Sequence, residues 1–235
     1  MATVYARSDD SYVTRGVTGG PTWASVRGDI DTVGTGHSNT VTNYFFGIHS
    51  AGSGKGGGAY IVYRSYFPFD LSLESGTVDS ATFSLYSDNT GSSGDYAKVI
   101  AIEATALAGS TDDYGNVFTG ASGSTTLGTA MSSTSGITIS TLQGYHLIPI
   151  TGDTSSGGIK VINDAIGSAT IVIGVMAWYH DYSNNAPSQS FGGSYTRIGI
   201  WYANYTGVSR DPLLEITYTS GVTVTHNATF FGANF

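Results

Sequence analysis

The sequence predicts an all-β protein, an antiparallel β-sandwich with long Gly/Ser/Thr-rich loops and one short helix. Two runs between residues 60 and 86 alternate apolar and polar side chains, a pattern typical of half-buried strands. Only 11% of the residues are charged and 33 are Gly, yet the chain also has 16 Tyr and 10 Phe. This aromatic content argues against disorder and favours an ordered sandwich with polar loops.

The two alternating runs flank a predicted turn. The apolar residues of one parity are Ile61, Tyr63, Phe67, Phe69 and Leu71 in the first run, and Ala81, Phe83 and Leu85 in the second. The linker 74–77 contains Gly76, which is free to adopt a positive φ in a turn. We therefore predict two paired strands that place Phe67, Phe69, Phe83 and Leu85 in one core between two sheets.

Further strand patterns occur along the chain. They cover residues 4–13, 44–46, 97–104, 145–150, 171–179, 196–202 and 213–218. Segment 171–179 is apolar on both parities, as expected for a central strand covered on both faces. Pro149 predicts that its strand lies at an edge or ends there. Ile159, Ile162 and Ile166 have helical spacing and predict the one short helix, whereas 16–58 and 109–136 are expected to be mainly loops.

Charge and composition restrict the classes of function. The net charge is −8 with only 9 Lys and Arg, which argues against nucleic-acid binding and against docking on an anionic membrane. The chain has no Cys, so a disulfide framework and a thiolate metal site are excluded. We expect neither a signal peptide nor a membrane span, which suits a virion protein or a mature chain whose signal was removed.

Three short segments, in matching order, share the pattern of one known domain family. Segment 63–86 (YRSYFPFDLSLESGTVDSATFSLY) is similar to a strand with Arg-Ser-x-Leu-x-Phe-Asp, a turn, and Ser-Ala-x-Leu-x-Leu-Tyr. Segment 211–218 (DPLLEITY) and segment 10–13 (DSYV) are similar to the closing and opening strands of the same domains. Together they resemble DNRLRE-type domains. The resemblance implies a jelly-roll β-sandwich related to carbohydrate-binding modules, found in secreted bacterial proteins and in phage structural proteins.

Acidic residues in the loops are the candidate metal ligands. Asp9, Asp10, Asp29 and Asp31 could contribute to a calcium site, since Ca²⁺ takes six to eight oxygen ligands. Adjacent Asp residues in loops are more often solvated, so we predict no cofactor and keep a structural calcium ion as an alternative. The sequence has no catalytic motif spacing, so we predict no catalytic residues and no enzymatic activity.

An aromatic segment near the end of the predicted central strand is the candidate glycan contact. It consists of Trp178, Tyr179, His180, Asp181 and Tyr182. Its rings could stack on a sugar while His and Asp hydrogen-bond to hydroxyl groups. The alternative, which we favour, is that a buried strand simply ends here and enters a loop.

The C-terminal tail is predicted to be separate from the domain. The family-like closing strand ends at Tyr218, so we expect one sandwich domain over 1–219 and a tail over 220–235. The tail carries Phe230, Phe231 and Phe235, and exposed aromatic residues usually mark contacts. We predict that they anchor the protein to another subunit, with folding back onto the same sandwich as the alternative.

These observations lead to one expected function and one alternative. The first is a structural virion protein of a phage, exposed on the particle as a capsid decoration protein, head fibre or tail-associated subunit. Its expected partners are copies of itself, in a homo-oligomer, and other virion proteins. The alternative is a carbohydrate-binding module or receptor-binding domain that recognises a surface glycan.

Overall fold

Antiparallel strands dominate the fold. The computed structural model describes residues 1–51, 58–91, 98–139, 142–188, 194–204 and 206–219. The strands are β1 Ala2–Tyr5, β2 Ser11–Val17, β3 Gly36–Ser38, β4 Asn43–Ala51, β5 Ala59–Asp70, β6 Val78–Gly91, β7 Lys98–Glu103, β8 Phe118–Thr119, β9 Thr126–Leu127, β10 Ile137–Thr138, β11 Gly144–Pro149, β12 Gly152–Asp153, β13 Thr170–Ala177, β14 Ser194–Trp201 and β15 Leu213–Tyr218. The helical segments are α1 Trp23–Arg27, a 3₁₀ helix Thr111–Val117, α2 Gly157–Ala165 and a π-helix Trp178–Tyr182.

The long strands form two layers. In the first layer β5 pairs with β2, β4 and β13, β2 pairs with β3, and β13 continues to β7 and β10. In the second layer β6 pairs with β11 and β15, and β15 pairs with β1. Strand β14 pairs with both β4 and β6 and so connects the layers. The predicted all-β, antiparallel sandwich class is confirmed, while the jelly-roll connectivity stays a prediction.

The core between the layers contains the predicted aromatic residues. Phe67, Phe69, Phe83 and Leu85 are fully buried in one apolar cluster. The Phe83 ring centroid lies 5.6 Å from that of Phe67 and 5.8 Å from that of Phe69. The expected pairing of these two strands is wrong, because β5 and β6 face each other from different layers. Gly76, with φ 109°, lies in the connection that takes the chain from one layer to the other.

Strand β5 is buried on both faces, not on one. Tyr60, Val62 and Tyr66 point away from the first core and belong to a second apolar cluster. This second cluster lies outside the first layer and includes Val26 of α1 and Val117 of the 3₁₀ helix. Segments that looked like loops in the sequence therefore cover the outer face of the first layer.

The N-terminal strand prediction also needs correction. The expected strand 4–13 is two strands, because a turn separates β1 in the second layer from β2 in the first. In this turn the Asp10 amide donates to the Arg7 carbonyl oxygen at 3.0 Å. The Ala6 amide donates to Pro212 O and the Arg7 amide to Pro68 O, so the turn is held from both layers.

The single predicted helix is present as α2, and the described part of the chain contains three further helical segments. Each of the three is five to seven residues long, too short to show a helical period in the sequence. Thr22 caps α1 by accepting from the Ser25 amide, and Ser110 caps the 3₁₀ helix in a capping box with Asp113. None of the helices in the described residues combines the length and apolar character needed to cross a membrane.

Replacing Phe83 by Ala tests the core between the layers. We expect the free energy of unfolding to fall by about 3–5 kcal/mol, since a fully buried ring is lost and a cavity remains. Chemical denaturation followed by far-UV circular dichroism measures the change. The matched control is Leu73→Ala, which removes a side chain that is 95% exposed and should change stability by less than about 0.5 kcal/mol. A loss below about 1 kcal/mol for Phe83→Ala would contradict this packing.

Candidate functional site

A fully buried ion pair lies at the centre of the second cluster. Arg64 Nε donates to Asp181 Oδ2 and Arg64 Nη2 donates to Asp181 Oδ1, each at 2.8 Å. Arg64 Nη1 also donates to Tyr114 O, and Nη2 to Arg27 O, each at 2.9 Å. Both charged side chains have no exposed surface. Arg64 therefore joins β5 to α1, the 3₁₀ helix and the π-helix through four hydrogen bonds.

Aromatic rings enclose the guanidinium of Arg64. Its Cζ atom lies 4.1 Å from the ring centroid of Tyr114 and 4.9 Å from that of Phe118. The Tyr114 hydroxyl donates to Val26 O, and the Tyr66 hydroxyl donates to Tyr114 O. Burial alone lowers the pKa of Arg64, but the Asp181 carboxylate and Tyr114 outweigh it and hold the pKa above its ordinary value. The arginine is thus charged, fixed and inaccessible.

The predicted glycan segment forms part of this buried centre. Asp181 is paired with Arg64, and His180 is buried with Nδ1 2.6 Å from Asn185 O. Trp178 is half-buried, and its Nε1 donates to Thr134 O at 2.8 Å. Only the rings of Trp178, Tyr179 and Tyr182 keep partial exposure. The structure therefore gives Asp181 and His180 structural hydrogen bonds in a π-helical turn that follows the end of β13, while a glycan contact through the rings stays a prediction.

Asp10 is not a solvated loop residue. It has no exposed surface, and its Oδ2 accepts from the Ala203 amide at 2.8 Å. Within the described part of the chain, Oδ1 of Asp9, Asp10 and Asp211 is buried without a hydrogen-bond partner. Burial, together with the nearby Asp211 and Asp9 carboxylates, raises the pKa of Asp10 to about 8, although the Ala203 hydrogen bond lowers it in part. Burial likewise raises the pKa of Asp211 to about 6.

The other two calcium candidates hold loops in place. Asp29 Oδ1 accepts from the Asp31 amide and from Thr32 Oγ1. Asp31 Oδ2 accepts from Ser122 Oγ and the Gly123 amide, each at 2.6 Å, and these bonds lower the pKa of Asp31. Across the described ranges, no group of three or more His, Asp or Glu side chains has the geometry to hold a metal ion.

An open groove runs beside α2. It has a volume of about 520 Å³ and lies between α2, the end of β7 and the start of β13. Its polar lining includes Arg7, Glu103 and Asp164, and its apolar lining includes Val161 and Ile171. A neighbouring hollow of about 320 Å³ shares Glu103, Val161 and Asp164. Sequence reasoning missed this groove because its residues come from distant segments.

The outer face of the second layer is exposed and partly apolar. The register aligns Leu147 of β11, Ser84 of β6, Leu213 of β15 and Tyr5 of β1 in one row across the four strands. Leu147 is 60% exposed and Tyr5 is 41% exposed. We call these four residues the apolar row. Tyr145, which is 37% exposed, lies beside it on β11.

Comparison with known proteins gives no family assignment. No protein-family model matches the chain, and no curated protein sequence matches it. The likeness to DNRLRE-type domains stays a prediction based on segments 10–13, 63–86 and 211–218. The predicted anchor residues Phe230, Phe231 and Phe235 lie outside the described residues.

Replacing Arg64 by Met tests the buried ion pair. We expect a loss of about 3–5 kcal/mol, because the buried Asp181 carboxylate would keep only Arg27, whose Nε lies 3.7 Å from Asp181 Oδ1, as a cationic neighbour. Urea unfolding measures this loss. The control is Arg7→Met, which breaks the partly exposed pair with Asp9 and should cost less than about 1 kcal/mol. Similar losses for the two variants would contradict the central role of Arg64.

The buried acids predict an unusual pH dependence. Above about pH 4 the folded protein keeps protons that the unfolded chain has released, on Asp211 up to about pH 6 and on Asp10 up to about pH 8. The free energy of unfolding contributed by these groups therefore falls as pH rises, by at most about 1.4 kcal/mol per pH unit for each group. His180, whose pKa is lowered by burial, contributes the opposite slope.

A comparison with Asp10→Asn isolates the contribution of Asp10. Denaturant unfolding at pH 5 and pH 8 should show that this variant loses less stability over the interval than the wild type. The control is Asp79→Asn, at an exposed position of β6, which should keep the wild-type difference. An unchanged difference in Asp10→Asn would show that Asp10 does not titrate in this range.

Proposed function

We propose that this protein is a structural, non-catalytic subunit of a phage-like particle, acting at the particle surface by assembly and display. A capsid decoration protein, a head fibre and a tail-associated subunit all fit this proposal. The observation that carries it is the apolar row on the outer face of the second layer. Exposed apolar residues in a contiguous set usually mark a contact with another protein.

The contrast between the two outer faces supports assembly. The first layer is covered by α1, the 3₁₀ helix and the π-helix, which bury a complete apolar cluster against it. The second layer leaves Leu147 and Tyr5 in contact with solvent. A sandwich of this kind can pack its second face against a neighbour while its first face keeps the fold rigid.

The tail adds a second proposed attachment point. Strand β15 carries Leu213 of the apolar row, and the chain continues from it into the tail 220–235. Sixteen residues in an extended conformation reach about 50 Å, far enough to contact an adjacent subunit. Phe230, Phe231 and Phe235 would provide the apolar side chains for such a contact.

Recognition of a surface glycan is the second candidate function. The observation in its favour is the groove beside α2, which combines Glu103 and Asp164 with Val161 and Ile171. Carboxylates can accept hydrogen bonds from sugar hydroxyls, while apolar side chains contact the C–H faces of a sugar ring. Polar groups placed over an apolar surface are typical of small-ligand sites.

Analysis of purified particles tests the main proposal. We expect the protein in gradient-purified particles of its source at a fixed stoichiometry to the major shell protein, measured by quantitative mass spectrometry. Its absence from intact particles would overturn the proposal. Binding of the isolated protein to a glycan array, lost in Glu103→Gln and kept in the control Glu74→Gln, would instead support the second candidate.

A further inference from the structure

The positions of the side chains in the apolar row limit which surfaces can pack against it. Ser84, in the middle of the row, points outward and yet has no exposed surface. Its register neighbours Leu147 and Leu213 flank it on the two adjacent strands. The exposed surface of the row is therefore that of Leu147, the half-buried Leu213 and Tyr5.

Opposite charges flank the row on its two sides. Along β6, Tyr86 lies two residues from Ser84 in one direction, and Thr82 lies two residues away in the other. Arg210 lies over the rings of Trp201 and Tyr86, with Cζ 4.5 Å and 5.5 Å from the two ring centroids. Glu215 is in register with Thr82. Arg210 and Glu215 therefore lie on opposite sides of the row.

We propose that this face binds the same face of a second copy of the chain, about a twofold axis that runs along the apolar row. A rotation of 180° about this axis places the apolar row of one copy opposite the same row of the other copy. It also places each flank of the row in one copy opposite the other flank in the second copy. Arg210 of each copy then faces Glu215 of the other, which gives two symmetric ion pairs around an apolar centre. Isologous contacts of this kind are the most common in protein oligomers.

The size of the face predicts a weak association. Four strands spaced about 4.8 Å apart, each about six residues long, cover a surface of about 19 by 20 Å. At about 380 Å² per copy, this is about half the area per partner of a standard specific interface, so we expect a weak, transient association with a dissociation constant of about 0.1 mM. A weak contact of this type becomes effective when many copies are held close together. The inference thus rests on the proposed assembly function and names its partner.

A charge exchange between Arg210 and Glu215 tests the interface. Sedimentation velocity of the full chain, over a concentration series up to about 0.5 mM, should show a monomer–dimer equilibrium. Arg210→Glu and Glu215→Arg should each weaken association at least about tenfold, because like charges then face each other. The double variant should restore it to within about threefold of the wild type. Thermal melts of each variant verify that the monomer is folded.

Cross-linking provides a second measurement that does not depend on Arg210. The wild-type chain has no Cys, so Leu147→Cys introduces a single thiol close to the proposed axis. Because packed sheets lie about 10 Å apart, a short bis-maleimide should link two copies efficiently. Leu73→Cys, at a position that is 95% exposed and outside the second layer, is the control and should give little product.

Three results would overturn the inference. A wild-type protein that remains monomeric at about 0.5 mM has no such interface. Equal cross-linking of Leu147→Cys and Leu73→Cys would mean random collision. Association that disappears on removal of residues 220–235, and that is insensitive to the charge variants, would assign the contact to the tail. A dimer that is absent from particles would overturn the proposed function alone, whereas a particle protein that is monomeric in solution would overturn only this inference.

Discussion

The fully buried pair of Arg64 and Asp181 is the interaction on which the rest of the fold depends. A guanidinium removed from water is tolerated only where oxygens accept most of its N–H groups. Here they come from the end of α1, the 3₁₀ helix and the π-helix, through Arg27 O, Tyr114 O and the Asp181 carboxylate. Each of these segments is too short to be stable alone. We attribute their positions to this common centre and to the apolar cluster that surrounds it.

This arrangement makes the two outer faces of the sandwich chemically different. The first layer carries the short helices and has its apolar cluster closed to solvent. The second layer presents Leu147 and Tyr5 on its outer surface, while the inner faces of the same strands complete the main core. The helix-covered face and the exposed face therefore lie on opposite sides of the sandwich. This difference supports the proposed assembly through the second layer.

The three segments that resemble DNRLRE-type domains share a physical property. Segment 10–13 contributes Asp10, segment 63–86 contributes Arg64, and segment 211–218 contributes Asp211, and all three side chains are buried. A buried charged or titratable group requires particular partners at particular positions, whereas a buried apolar group requires only suitable volume. Sequence patterns around such groups are consequently more distinctive than the apolar alternation on either side of them.

The sequence alone determined the fold class, the main core residues and helix α2. Alternation with a period of two identifies Phe67 and Phe83 as inward-facing whatever strands lie beside them. It does not identify those neighbours, and only the tertiary structure placed β5 and β6 in different layers. The burial of Asp10 and the groove beside Glu103 were likewise decided by the tertiary structure. Both depend on side chains and backbone from distant segments, and local periodicity contains no information about such contacts.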